Sequence, residues 1–495
     1  MVAIFTGAGS GLERGSAAVL GEAGLLGSGT VGRSGQRAMV NAATGNLLID
    51  RRDEFLIGRG PDAAATRTYN SRAETSDDNG DQWRLGSDRR LFGLVGTANA
   101  VGSSIKRVSG DGSVSTYSWN GGAYVSTDGA GAYDQITFDG AAWAWTDGDS
   151  QMVETYGSTY NGEQYLTLIT DRSGDSVSYA YGFGDNRLTR MTTANGEALD
   201  YTWTGQNVIS ISATFSDPQT GALVTRSRTA YAYDSSNRLI RATIDLTPQD
   251  NTIDAYETNY TYVGSSHLIY SMLEADGSGI YITYDELNRV QSIYYRVASG
   301  SSRTTVLGYA AGATTVTDAL GRTTRLEYDA SDRLTNIIRP SATLGAAAQA
   351  TQFAYSSDGS VSAITDSYGR QASFTHDANG NVATTVDQLG NMVSRTYGSR
   401  NELLTETWTG SDVSGDATRQ TVRYSYDAFG RTRFATSAEG AVTETVYNAF
   451  GQVTKTLSYR TVLDVDGVAE GATLDTATLQ AWVSDLADRS ARVQR

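Results

Sequence analysis

The chain has 495 residues, room for several domains or one long repeat array, and a hydrophobic share of 39% excludes wholesale disorder. Its 55 acidic residues outweigh 39 basic ones for a net charge of -16, which excludes a nucleic-acid binder, because phosphate neutralisation needs clustered cations. There is no cysteine, so disulfides and thiolate metal sites are excluded as well.

Glycine at 54 against proline at 4, and tyrosine at 29 against phenylalanine at 11, describe strands joined by glycine turns, an all-β chain. At the N-terminus, Thr6-Gly-Ala-Gly-Ser-Gly-Leu-Glu-Arg-Gly15 imitates the phosphate-binding turn of a short-chain dehydrogenase. Glu13 stands where the last glycine of that fingerprint belongs, and a carboxylate there repels a pyrophosphate. No Tyr-x-x-x-Lys pair exists either, since Gly102 and Gly451 precede the only lysines, Lys106 and Lys455, by four. Residues 1–34 therefore read as a flexible Gly/Ala/Ser leader. Val2 to Phe5 is too short an apolar run for a signal segment or a membrane span, so export requires a route without a recognisable signal peptide.

Residues 35–230 read as an N-terminal β-region. Trp119, Tyr124, Trp143 and Trp145 lie in it at strand-like spacing, which favours packing on a sheet face over stacking on sugars. Asp77-Asp-Asn-Gly-Asp81, like Asp464-Val-Asp-Gly467 near the other end, offers oxygen ligands without completing a calcium loop that ends in glutamate; both read as solvated turns. Asp217-Pro218 sits in a Gln-Thr-Gly context and reads as a loop.

From residue 231 to 460 the chain repeats. Tyr355, His376 and Tyr397 stand 21 apart, as do Tyr426 and Tyr447, each followed by a turn residue in a context such as Leu326-Glu-Tyr-Asp329 or Phe374-Thr-His-Asp377. Apolar, polar, aromatic, then Asp or Asn is a strand entering a turn. A second turn, Asp318-Ala-Leu-Gly-Arg322, Asp366-Ser-Tyr-Gly-Arg370 or Asp387-Gln-Leu-Gly-Asn391, lies ten residues ahead of the next aromatic anchor. In each, the Asp side chain bonds backbone two residues on, and glycine supplies the positive φ. One unit is one hairpin, and since a lone hairpin is marginal in water, each must pair edge to edge with the next. On the order of 20 such strands at about 4.8 Å make a sheet near 100 Å wide, beyond what an open sheet sustains without curling. The expectation is a hairpin array coiled into a spiral shell or curved wall.

Residues 461–495 break the pattern with a loop and an amphipathic helix, in which Leu479, Trp482, Val483 and Leu486 fall at helical spacing behind Asp475 as N-cap.

The units Tyr426-Asp-Ala-Phe-Gly-Arg431 and His376-Asp-Ala-Asn-Gly-Asn381 resemble the YD repeats of bacterial RHS proteins, which also occur in insecticidal toxin complexes and teneurins. Asn41-Ala-Ala-Thr-Gly-Asn-Leu-Leu-Ile49, Gly58-Arg-Gly-Pro61 and Arg67-Thr-Tyr-Asn-Ser71 resemble the segment that opens the array in those proteins. The resemblance, over roughly residues 35–460, implies a hollow β-shell that sequesters a C-terminal toxic or effector domain until delivery. In related shells a helix such as 475–486 interrupts the array and a further Tyr-Asp strand follows; this chain stops at Arg495, the expected point of a truncated or split reading frame. The Pro- and Asp-rich core segment with an autoproteolytic aspartate pair, usual in that family, is not found.

No reaction is legible in the sequence, and no catalytic, cofactor-binding or metal residue is assigned. His376 occupies an aromatic anchor slot; His267 lacks a Gly-x-Ser-x-Gly partner, and the two are too far apart for a zinc helix. The reading is a secreted or cell-surface scaffold, not an enzyme, with no cofactor, no nucleic acid and no membrane span. Its partner is a C-terminal effector or further repeats beyond this chain. The alternative is an adhesin or carbohydrate-binding wall protein whose partners are cell-surface glycans.

Overall fold

The computed structural model describes residues 3–7, 11–12, 18–19, 29–31, 35–75, 79–126, 134–148, 150–182, 184, 186–250, 254–297, 300, 302–341, 347–411, 417–448, 451–469, 471–486 and 492–494. They are almost entirely β, with one α-helix, Thr476–Asp485, among them. The chain divides into two compact units, residues 1–147 with 152–353, and residues 148–151 with 354–495.

The first unit begins with a seven-stranded sheet built from residues 3–85. Its strand Ala3–Thr6 is buried throughout and runs parallel to Gln36–Asn41, with Ala3 opposite Met39. This differs from the flexible leader expected over residues 1–34. An apolar run too short to span a membrane is long enough for one strand covered on both faces, with Ile4 turned to one core cluster and Phe5 to another. Other residues of the expected leader lie outside the described ones, Glu13 among them.

Residues 90–170 then close on themselves. Eight strands, from Arg90–Val95 to Glu163–Thr170, pair antiparallel in chain order, and the last returns to the first through Gln164 opposite Leu91 and Tyr165 opposite Arg90. A barrel of about eight strands is just wide enough to fill with side chains, and Leu91, Ile105, Tyr117, Tyr124, Ile136, Trp143, Trp145, Tyr156 and Leu166 fill this one.

From Ser176–Tyr181 onward the strands form an antiparallel meander. The first sheet lies against one face of it. Val40, Leu47, Ile49 and Trp83 from the first sheet share a core with Ile211, Met272, Ile282, Ile293 and Leu326 from the meander, a face-to-face sandwich whose alternating inward positions supply the apolar layer.

The second unit continues the hairpin pattern from Val361–Thr365 to Val453–Ser458, and Arg492–Gln494 pairs antiparallel with that last strand. The helix forms as its sequence suggests: Asp475 caps it, its Oδ1 accepting from Thr478 N at 2.8 Å, and Leu486 ends it. Leu479 is buried against Phe434 and Val442, with Trp482 and Val483 beside it. Among the described residues no helix is long and apolar enough to cross a membrane.

Candidate functional site

The chemistry-bearing side chains most repeated in this chain are Asp, Arg and Tyr, and the turns account for the first two. In Asp285-Glu-Leu-Asn-Arg289, Oδ1 of Asp285 accepts from Leu287 N and Arg289 N, both at 2.9 Å, while Oδ2 accepts from Arg289 Nε at 2.7 Å. The same three bonds recur at Asp318, Asp329, Asp366 and Asp427, and Asn381 and Asn391 replace the arginine at Asp377 and Asp387. The penultimate turn position is left-handed, Gly430 at φ 74°, with Asn288 at 59° and Asp332 at 57° as substitutes.

The tyrosines make a second device. At the aromatic that ends a strand the register slips: Thr283 pairs with Ser292 but Tyr284 with Val290, so Gln291 is a bulge. On its other side the ladder starts two residues late, at Ser292 opposite Val306, and the carbonyl of Val290 is left to the hydroxyl of the next tyrosine, Tyr309, which donates at 2.6 Å. Equivalent bonds join Tyr181 to Leu166, Tyr262 to Leu239, Tyr284 to Ile269, Tyr397 to Val382, Tyr426 to Leu403 and Tyr447 to Thr432, with Trp203 Nε1 taking the part of the hydroxyl toward Leu188. The lattice therefore starts well before residue 231, and Trp203 had hidden an early member. Tyr328 tests the rule from the other side: the hairpin before it pairs Tyr309 with Thr314 without a bulge, and its buried hydroxyl donates to no carbonyl.

Two buried ionic clusters hold larger pieces together. Between the first sheet and the meander, Asp53 forms an ion pair with Arg51 Nε at 3.0 Å and accepts from Arg67 Nε and from the Tyr231 hydroxyl at 2.6 Å; Arg67 also donates to Tyr260 Oη at 3.1 Å, which takes Gln36 Nε2 as well. Asp81, also buried, accepts from Leu239 N across the same interface at 2.9 Å. In the barrel, Glu154 bridges Arg89 and Arg107, and the Arg107 guanidinium lies 3.7 Å above the Trp145 ring. Burial alone would raise the Glu154 pKa; the two arginines outweigh it and hold the carboxylate at about 2. Burial pushes the Tyr156 hydroxyl, which donates to the same carboxylate, well above its usual range.

A cavity of about 340 Å³ opens where the barrel meets the meander. Arg90 crosses its wall between Asp88 and Glu163, and Tyr165 and Trp203 contribute rings.

The residues singled out from sequence scatter. Trp143, Trp145 and Tyr124 are barrel core, and Trp119 packs against them. His376 stands opposite Val382 at a bulge, in a tyrosine slot. The His267 carbonyl accepts from Tyr69, which fixes the loop, not a serine. Asp217 Oδ1 caps its loop by accepting from Gln219 N and Thr220 N, and Asp464 accepts from Asp466 N. Asp77 lies outside the described residues. Among the described residues no group of three or more His, Asp or Glu is placed to hold a metal ion.

Residues 309–344 match the family described as RHS Repeat, and residues 37–117 match a domain of unknown function. No curated protein matches. Solved structures that match include the TcdB2-TccC3 complex, at 11% identity and TM-score 0.40 over 85% of this chain and 29% of that one. A TcdB2-TccC3-TEV complex matches at 12% and 0.38 over 86% and 30%. The Photorhabdus luminescens Tc holotoxin pore matches at 12% and 0.36 over 87% and 28%. The chain thus spans about 30% of the length of each of these three solved chains.

Proposed function

We propose that this chain, which matches the RHS repeat over residues 309–344, is a scaffold: part of a β-walled enclosure, outside the cell or at its surface, that sequesters or delivers a toxin or effector polypeptide encoded C-terminal to the array. The coarser half of this reading, an RHS-type structural β-sheet, needs no catalytic group, and the lattice commits its carboxylates, guanidinium groups and phenols to turns and bulges.

The observation that carries the finer half is a difference in cover between equivalent repeat positions. Two residues before the anchor, Ile282 and Leu326 in the first unit are 0% and 1% exposed beneath the first sheet. Phe374 holds that position in the second unit and is only half-buried. It leads a row across paired strands, Phe374, Thr385, Val393 and Trp408, that ends with Trp408 at 41% exposed. A row of three apolar side chains and one threonine on the core-facing side of the hairpin pattern suits a polypeptide laid against it, whether cargo or further repeats.

Limited proteolysis with mass spectrometry, on this chain and on one extended through downstream sequence, tests the reading. Protection of strands 371–411 and of a retained C-terminal fragment in the extended form supports it. Equal cleavage of strands 371–411 in both forms, with the downstream segment digested freely, refutes it.

A further inference from the structure

We propose that the cavity between the barrel and the meander is a binding site for a short, uncharged saccharide, held between the Tyr165 and Trp203 rings and a wall of Asp88, Arg90, Glu163 and Asn186. Its volume of about 340 Å³ lies at the lower end of small-molecule sites, about 300–1,000 Å³. The wall has the mixture a sugar requires. Pyranose rings present apolar C–H faces, which aromatic faces cover, and ranks of hydroxyls that donate and accept at once, which planar amides, carboxylates and guanidinium groups satisfy in pairs.

The charges are close to balanced, three arginines, Arg84, Arg90 and Arg187, against Asp88 and Glu163, with Arg187 lying over the Trp203 ring. Asp88 is shared by Arg84 and Arg90, and Glu163 by Arg90 Nε at 2.9 Å and the Tyr165 hydroxyl at 3.2 Å. Those pairings fix the carboxylates in place and cancel their charge while leaving each some of the roughly four lone-pair sites a carboxylate has. Such a wall gives no strong field to attract a polyanion or a polycation.

Asn186 adds an independent sign. It stands in the left-handed region at φ 51°, its Oδ1 accepts from Ser158 Oγ at 3.0 Å, and its buried Nδ2 makes no hydrogen bond. A buried amide donor without a partner carries a desolvation cost, which a ligand hydroxyl removes when the Asn186 side chain turns its amide into the cavity it lines. None of these residues belongs to the row proposed to face cargo, so the site is independent of the scaffold reading.

The test is a printed array of neutral, amino and uronic oligosaccharides probed with the full chain, followed by titration of the best neutral glycan against intrinsic tryptophan fluorescence. Asn186→Gly keeps the left-handed backbone and should weaken binding about tenfold, the loss of one hydrogen bond to a buried donor. Tyr281→Ala, on the outer face of the meander beside Tyr270 and Tyr294, should leave it unchanged; circular dichroism checks that both variants fold. No retention of any neutral glycan, retention of acidic glycans alone, or binding that survives Asn186→Gly and is lost in Tyr281→Ala would each overturn the assignment.

Discussion

Removing a single hydroxyl from two neighbouring tyrosines separates the bulge bond from the aromatic ring that carries it. In Tyr309→Phe the ring stays, with the Arg289 guanidinium 4.3 Å from its centroid, but the Val290 carbonyl loses the donor at 2.6 Å. Val290 is 0% exposed, so little water replaces the lost hydroxyl, and an unsatisfied buried acceptor costs about 1–3 kcal/mol. Tyr328→Phe deletes a buried hydroxyl that donates to no carbonyl, so the change is expected within about 0.5 kcal/mol of zero. Urea unfolding of the full chain followed by tryptophan fluorescence reads the global effect, and amide exchange across residues 290–310 shows whether the loss is local. If the two variants shift alike, the tyrosines stabilise through their rings alone and the bulge bond contributes nothing.

Three further outcomes are expected. Asp53→Ala leaves Arg51 and Arg67, both buried, without their shared carboxylate and should cost about 3–5 kcal/mol, as breaking a buried pair does; a fall in urea midpoint equivalent to less than about 1 kcal/mol would show that the two sheets do not depend on it. Glu154, held at about 2 against about 4.3 in an unfolded chain, contributes stability that is complete above the unfolded value and lost as pH falls toward 2. Glu154→Gln should therefore flatten the stability profile between pH 5 and 2, and an unchanged slope in acid titration of barrel fluorescence counts against the pairing. Leu479→Ala empties the buried contact of the helix on Phe434 and Val442 and should cost about 2–4 kcal/mol, seen as faster amide exchange over residues 476–485; exchange as slow as in the parent means the helix is held elsewhere.

How much of this could be read beforehand depended on range. The turns and the helix were legible because their causes are local: Asp285 and Arg289 are four residues apart, and Asp475 and Thr478 three. The barrel was not, because its closure rests on Tyr165 meeting Arg90, a pairing with no period to announce it. The spacing of Trp119, Tyr124, Trp143 and Trp145 predicts sheet packing, and they pack, yet inside a ring that alternation alone does not imply. The ionic clusters escaped for a different reason. Charged residues are almost always on the surface, and nothing near Asp53 in sequence points to Tyr231, 178 residues away. Nor could the cavity be anticipated, since Glu163 and Trp203 meet only after barrel and meander have formed.

The bulge bonds have a direction. In every pair described, the donor lies C-terminal to the carbonyl it satisfies, from 15 residues later, as in Tyr284 to Ile269, to 23, as in Tyr426 to Leu403. A hairpin emerging during synthesis thus needs only the next one or two strands to complete its polar contacts, and nothing from the far end of the chain. Domains fold N-terminal first at roughly 5–20 residues per second, so each hairpin waits only seconds for the tyrosine that seals it. The incomplete front stays a hairpin or so wide however long the array grows, and the exposed edge that invites mispairing advances with the nascent end while the sheet behind it is finished.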